Sequence, residues 1–271
     1  MKHILLCLPF LAMISLTSAA DPTAQAEIKK LILPGEAFLV SERPAFVLLP
    51  REELRRKPQP WVFYAPTLAG LPDAHEKWMH EQFLEAGVAV GGIDVGEGYG
   101  GPKSRELFTA FYKEVVERRG FATKPCLLGR SRGGLWVTSW AVENADKVAG
   151  IAGIYPVFDF RTYPGLANAA PAYGLTAQEL EQKMTDHNPI ERVSRLAQAK
   201  VPVLFIHGDE DKVVPLKENS AEFAERYQAA GAEKLVTLIV ATGQGHNYWE
   251  GFFRCQPLID FTIARAREGA K

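Results

Sequence analysis

Short apolar runs alternate along this chain with stretches whose apolar residues recur every three or four positions. Eight runs, at 37–40, 45–49, 61–65, 88–94, 126–128, 148–154, 203–207 and 235–241, are rich in β-branched and aromatic residues and read as strands. Helical spacing falls at 76–86, 105–119, 134–143, 218–230 and 249–267; in the second of these Leu107, Phe111 and Val115 stand four apart and form a stripe for a sheet. This alternation predicts an α/β fold, a mostly parallel eight-stranded sheet with helices on both faces, its first two strands forming an antiparallel lead-in. One long segment, 156–195, departs from the pattern. Rich in Pro, Gly, Ala and Tyr, with one helical patch at 176–185, it reads as a small cap insertion at the ligand end of the sheet. A surface excursion without substrate contact is the other reading.

The start of the chain has a different character. Lys2 and His3 precede the apolar run 4–16, and Ser18 and Ala20 suit a signal peptidase cutting before Asp21, so residues 1–20 read as a removed signal peptide. The run is shorter than a bilayer span and Pro9 interrupts it, so no stable membrane insertion is expected. A secreted or periplasmic protein follows, with 21–271 forming a single α/β domain. Without Lys2, 30 basic residues face 32 acidic ones, a formal charge of −2 that leaves no footprint for nucleic acid. Beyond the leader only Cys126 and Cys255 are left, on a predicted central strand and a predicted C-terminal helix. They could form a disulfide or stay as two buried thiols; neither is assigned a catalytic role.

The chemistry is carried by three loops. Gly129-Arg130-Ser131-Arg132-Gly133 follows an apolar strand and opens a helix, so Ser131 sits on a sharp turn with glycines where side chains would collide with neighbours. A hydroxyl is a weak nucleophile at neutral pH and needs a base beside it and backbone donors for the oxyanion. Of six histidines, His3 lies in the leader, His75 and His80 near an early helix, His187 in the cap, and His207 ends a strand as a structural residue. His246 alone follows the last strand in a Gly-bounded loop. Three carboxylates, Asp209, Glu210 and Asp211, compete for the acid at the end of 203–207. For the oxyanion, the N–H of Arg132 is one donor, and a second is expected from the loop after 61–65, at Leu68 or else Thr67.

With these residues in view, the chain from 61 to 267 resembles the α/β-hydrolase superfamily. His207-Gly-Asp-Glu-Asp-Lys-Val-Val-Pro215 is similar to the superfamily's His-Gly-x-x-Asp-x-x-Val-Pro pattern, which implies Asp211 as the triad acid with Ser131 and His246. Asn188-Pro-Ile190, Val201-Pro-Val203 and the acid loop resemble the catalytic domain of prolyl-oligopeptidase-type members. Those peptidases carry a large N-terminal β-propeller, for which residues 21–60 leave no room, so the resemblance implies a stand-alone serine esterase, a carboxylic-ester hydrolase that needs no cofactor and no metal. A serine peptidase of the aminopeptidase or dipeptidyl-peptidase kind is the alternative, with Asp159 and Glu179 as candidate anchors for a substrate amino terminus. A non-catalytic binding protein on the same fold is the third reading. Pro66-Thr67-Leu68 departs from the His-Gly of many relatives, which removes a close likeness to the hormone-sensitive-lipase type. Serine at the elbow also excludes the Asp-based dehalogenases and epoxide hydrolases, and no zinc or phosphate-loop motif is present.

Specificity rests on fewer signs. Arg130 and Arg132 bracket the nucleophile, where a guanidinium could orient a substrate carboxylate, or could turn away to bond Asp94, Glu97 or a helix end. Trp249 and Tyr155, with Trp78, Tyr99, Phe158, Tyr163, Tyr173 and Tyr248, are candidate aromatic walls suited to a small-molecule ester such as an acylated sugar or aryl ester. Trp136 and Trp140, four apart after the elbow, read as core.

Overall fold

The computed structural model describes residues 28–271; the leader expected at 1–20 lies outside them. Strands β1 (Gly35–Val40) and β2 (Arg43–Leu48) form a hairpin whose two-residue turn, Ser41-Glu42, takes positive φ at both positions, 48° and 62°, which matches the twist of the flanking strands. Then follow β3 (Trp61–Ala65), β4 (Ala89–Ile93), β5 (Cys126–Arg130), β6 (Gly150–Ile154), β7 (Val203–Gly208) and β8 (Val236–Ala241). They lie in one eight-stranded sheet, in the order β1-β2-β4-β3-β5-β6-β7-β8. The pairings β1–β2 and β2–β4 are antiparallel, and all others are parallel.

Strands covered on both faces are near-continuous apolar runs, and every residue of β3, β5, β6 and β7 is buried, including Arg130 and His207 toward the C-terminal ends of β5 and β7. Their period of two divides the core into two layers. On one face Phe63, Leu127, Ile151 and Phe205 meet Phe111, Trp140, Phe158 and Phe223. On the other Val62, Tyr64, Leu128 and Ile206 meet Phe83, Phe252 and Leu258. Strand β8 at the edge is only partly buried, as a border strand must be.

The helices are α1 (Lys77–Glu85), α2 (Pro102–Lys113), α3 (Gly133–Ala141), α4 (Leu166–Tyr173), α5 (Ala177–Gln182), α6 (Met184–His187), α7 (Pro189–Arg192), α8 (Ser194–Gln198), α9 (Glu222–Ala229), α10 (Glu250–Phe253) and α11 (Gln256–Glu268). Helix α2 starts three residues before the predicted 105, because Pro102 occupies its first turn, where a missing N–H does no harm. It ends in a wider turn, Glu114–Arg118, that still buries Val115. The single helix predicted at 249–267 is broken in two, with Pro257 in the first turn of α11, where it cannot continue a preceding helix.

Segment 156–195 is more helical than its composition suggested. Helix α4 tolerates Pro171 and ends on left-handed Gly174, and α5 begins with a capping box in which Thr176 and Glu179 bond each other's backbone N–H. Phe160, Ala169, Ala170, Tyr173, Leu180 and Ile190 are buried in the same core layer as the sheet, so the segment packs as part of the domain wall. Among the described residues no helix is long and apolar enough to cross a membrane.

Candidate active site

Strand β5 runs between β3 and β6 and stops at Arg130; Ser131 follows with φ 50°, a left-handed conformation that costs a non-glycine residue about 1–3 kcal/mol. The turn is held because the Ser131 N–H donates to Ile154 O at 3.0 Å and α3 begins at Gly133. A Cβ on Gly133 would lie 2.3 Å from Ala65 O, and one on Gly129 would lie 2.9 Å from Val137 Cγ2. Both glycines are therefore required by close approach.

The loops after β7 and β8 reach the same end of the sheet. Ser131 Oγ lies 2.9 Å from His246 Nε2, and His246 Nδ1 lies 2.7 Å from Asp211 Oδ2. Since a carboxylate only accepts, Nδ1 carries the hydrogen and Nε2 is left as acceptor for the serine hydroxyl. The other oxygen, Oδ1, accepts the N–H groups of Val213 and Val214 at 2.9 and 2.8 Å. Burial opposes the Asp211 charge, but hydrogen bonds from His207, His246 and the Val214 N–H outweigh it and hold the carboxyl well below the usual range. His207 is structural: its Nε2 faces the Val214 carbonyl at 2.8 Å, so that nitrogen donates and Nδ1 accepts from the Ser220 hydroxyl at 2.8 Å. Asp209 turns instead to the Gly243 N–H, and Glu210 is exposed.

A pocket of about 180 Å³ opens beside Ser131, lined by Pro66, Leu71, Arg130, Arg132, Tyr155, His246, Asn247 and Tyr248. Among the described residues the N–H groups of Arg132, Thr67 and Leu68 have no backbone acceptor, while the Thr67 hydroxyl is turned inward to Ile93 O. Tyr155 is buried with its ring centroid 4.4 Å from that of His246, a floor beneath the imidazole. A larger surface cavity, about 590 Å³ and lined by Leu33, Arg51, Arg55 and Glu81 among others, shares no residue with this pocket.

Three expectations change. Trp249 packs edge-on against Phe252 outside the pocket, and Tyr248, stacked on His75 at 4.2 Å, takes the place on the wall. Arg130 does not hold its guanidinium out for a substrate. It donates to Glu76 at 2.8 Å and Asp73 at 3.2 Å, with the side chain 8 % exposed and Glu76 fully buried. Glu76 also accepts the Tyr64 hydroxyl at 2.6 Å; burial pushes its carboxyl up while Arg130 pulls it back. Phe158 and Tyr173 are core, and Trp78 lies under Arg254, so none of the three lines the pocket. Arg132 reaches Glu97, and its guanidinium lies 5.6 Å from the Tyr163 ring; segment 156–195 also touches the elbow at its start, where the Val157 N–H donates to Ser131 O at 2.9 Å. Cys126 and Cys255 are buried free thiols.

Sequence reasoning missed Asp73, Glu76, Pro66, Leu71 and Asn247. The signal available for the acidic pair was their spacing of three at the start of α1, which carries no indication of a partner on β5.

Comparison with known proteins follows the same geometry. Over 86 % of its length the chain matches the structure of a Mycobacterium tuberculosis puromycin-hydrolyzing peptidase at 16 % identity and TM-score 0.64, covering 40 % of that protein. Est1E from Butyrivibrio proteoclasticus matches over 85 % of this chain and 98 % of its own, at 20 % identity and TM-score 0.62. M. tuberculosis MPT51 matches over 86 % and 99 %, at 14 % identity and TM-score 0.67. No curated protein sequence matches the chain. These likenesses establish the α/β-hydrolase fold, and the chain spans about two-fifths of the peptidases first among them. Residues 103–255, more than half of the chain and inclusive of Ser131, Asp211 and His246, match the prolyl oligopeptidase family, Peptidase_S9, and the chain belongs to that family.

Proposed function

We propose that this protein is an exported serine hydrolase that cleaves carboxylic esters through Ser131, His246 and Asp211. The observation that carries the reading is the hydrogen-bonded relay, 2.9 Å from Ser131 to His246 and 2.7 Å from His246 to Asp211, on a strained elbow. His246 Nε2 takes the hydroxyl proton as Ser131 attacks the ester carbonyl. The oxyanion is received by the N–H of Arg132, at the start of α3, and by that of Leu68 or Thr67. His246 then protonates the leaving alcohol, and water repeats the sequence on the acyl-enzyme.

Ester is favoured over peptide by the state of the nearby carboxylates. Asp73 and Glu76 are taken by Arg130 and Asp159 by Arg161 and Asn188, while Glu179 caps α5. None of these is left free to anchor a substrate ammonium. The pocket of about 180 Å³ suits a short acyl group, with Tyr155 and Tyr248 as aromatic walls. Hydrolysis of p-nitrophenyl acetate, butyrate and octanoate beside an aminoacyl-p-nitroanilide, by the mature chain and its Ser131→Ala variant, tests the reading. Ser131-dependent turnover falling with acyl length, with an inert anilide, is expected; turnover of the anilide alone would make the protein a peptidase.

A further inference from the structure

The two arginines around Ser131 differ in what it takes to recruit them. Arg130 belongs to a buried pair with Glu76, and pulling it toward a substrate would leave an uncompensated charge in the core. Arg132 also lines the pocket, but its side chain is 32 % exposed and its ion-pair partner Glu97 is 45 % exposed. An exposed pair of this kind shifts an equilibrium by less than about fivefold, so a second carboxylate can take the guanidinium over with little penalty. Glu97 is 45 % exposed, so once displaced its carboxylate is solvated rather than stranded. The Tyr163 ring, 5.6 Å from the Arg132 guanidinium, offers it a cation–π contact that does not use its N–H donors, so these pass to a substrate carboxylate when Glu97 is displaced. Glu97 itself is not on the pocket wall, so of this pair only the residue that bears the cation borders the reacting centre.

We propose that Arg132 is a specificity-determining residue that binds a carboxylate on the substrate, so that the preferred esters are anionic, with Glu97 as the group the substrate displaces. The proposal rests on the reading of Ser131 as an ester-cleaving nucleophile. It makes Arg132 serve twice: its N–H meets the oxyanion and its guanidinium meets the charge, which sets the distance between scissile carbonyl and substrate carboxylate.

The test compares kcat/KM for matched substrates that differ in one charge, 4-acetoxybenzoate against 4-acetoxybenzamide for the alcohol side and mono-p-nitrophenyl adipate against p-nitrophenyl hexanoate for the acyl side. Wild type should prefer the anionic member of at least one pair by about tenfold. Because each ratio cancels general damage to the oxyanion site, Arg132→Gln should bring it to about one, Arg132→Lys should restore part of it, and Glu97→Gln should raise it while neutral turnover stays within about twofold. An unchanged ratio in Arg132→Gln, or preference for the neutral member in both pairs, overturns the proposal and leaves the ester reading standing. Absence of Ser131-dependent turnover of any ester overturns both.

Discussion

His80 should make this protein lose stability in mild acid. Its ring is fully buried, edge-on to Tyr64 at 5.1 Å and 6.0 Å from Phe83, and neither ring nitrogen has a hydrogen-bond partner among the described residues. Burial, and then the nearby Arg130 charge, lower its pKa from 6.5 to about 3. Between those values the unfolded chain binds a proton that the folded protein refuses, so stability falls as pH drops below 6.5, by about 1.4 kcal/mol per pH unit, and levels off near the folded value. From pH 7 to pH 5 the loss from this one residue is about 2 kcal/mol. Replacing it by Phe keeps a ring against Tyr64 and Phe83 and removes the titration. Urea unfolding followed by tryptophan fluorescence, for wild type and His80→Phe at both pH values, isolates the effect as a difference of differences in which all other groups cancel. A value near 2 kcal/mol is expected. A value below about 0.5 kcal/mol would refute the reasoning, since it would mean that His80 takes up its proton in the folded protein about as readily as in the unfolded chain.

Ser131→Ala and His246→Ala should each lower turnover by several orders of magnitude, up to roughly 10⁶-fold, and Asp211→Asn by about 10⁴-fold, with circular dichroism unchanged. Glu76→Ala should destabilise by about 3 kcal/mol in urea, because it removes the fully buried partner of a buried guanidinium and leaves it only the more exposed Asp73; a loss under about 1 kcal/mol would show that Asp73 and water suffice for Arg130. Gly133→Ala should abolish ester turnover and lower Tm, its new Cβ falling 2.3 Å from Ala65 O. Both thiols should be silent to a thiol reagent in the native protein and react fully once it is unfolded without reductant, and a thiol count of zero in denaturant would point to a disulfide.

The strands were legible because a strand buried on both faces reads as a near-continuous apolar run: β3 and β6 are such runs throughout, β5 is one up to Arg130 and β7 up to His207. The elbow was legible for a similar reason: its glycines, serine and following helix are adjacent in the chain, so one short segment carries the whole local requirement. Helix limits were less so where proline has two meanings, opening α2 and α11 at Pro102 and Pro257 yet lying inside α4 at Pro171.

Ser131 and His246 are 115 positions apart and His246 and Asp211 are 35 apart, and only the order β5-β6-β7-β8 brings their loops to one end of the sheet. Motif order could name the three residues but not their distances. The fate of the two arginines was decided entirely in three dimensions. Asp73, 57 residues before Arg130, reaches it because the segment leading into α1 packs over the end of β5, and Glu97 reaches Arg132 across the loop before α2. Likewise Tyr248 rather than Trp249 faces the pocket, since adjacent side chains in a loop leave the backbone in different directions. Pattern along the chain specifies which residues must be buried and where the backbone must turn. Which charged side chain meets which partner depends on packing between distant segments, and that is what makes Arg130 a core residue and leaves Arg132 at the pocket.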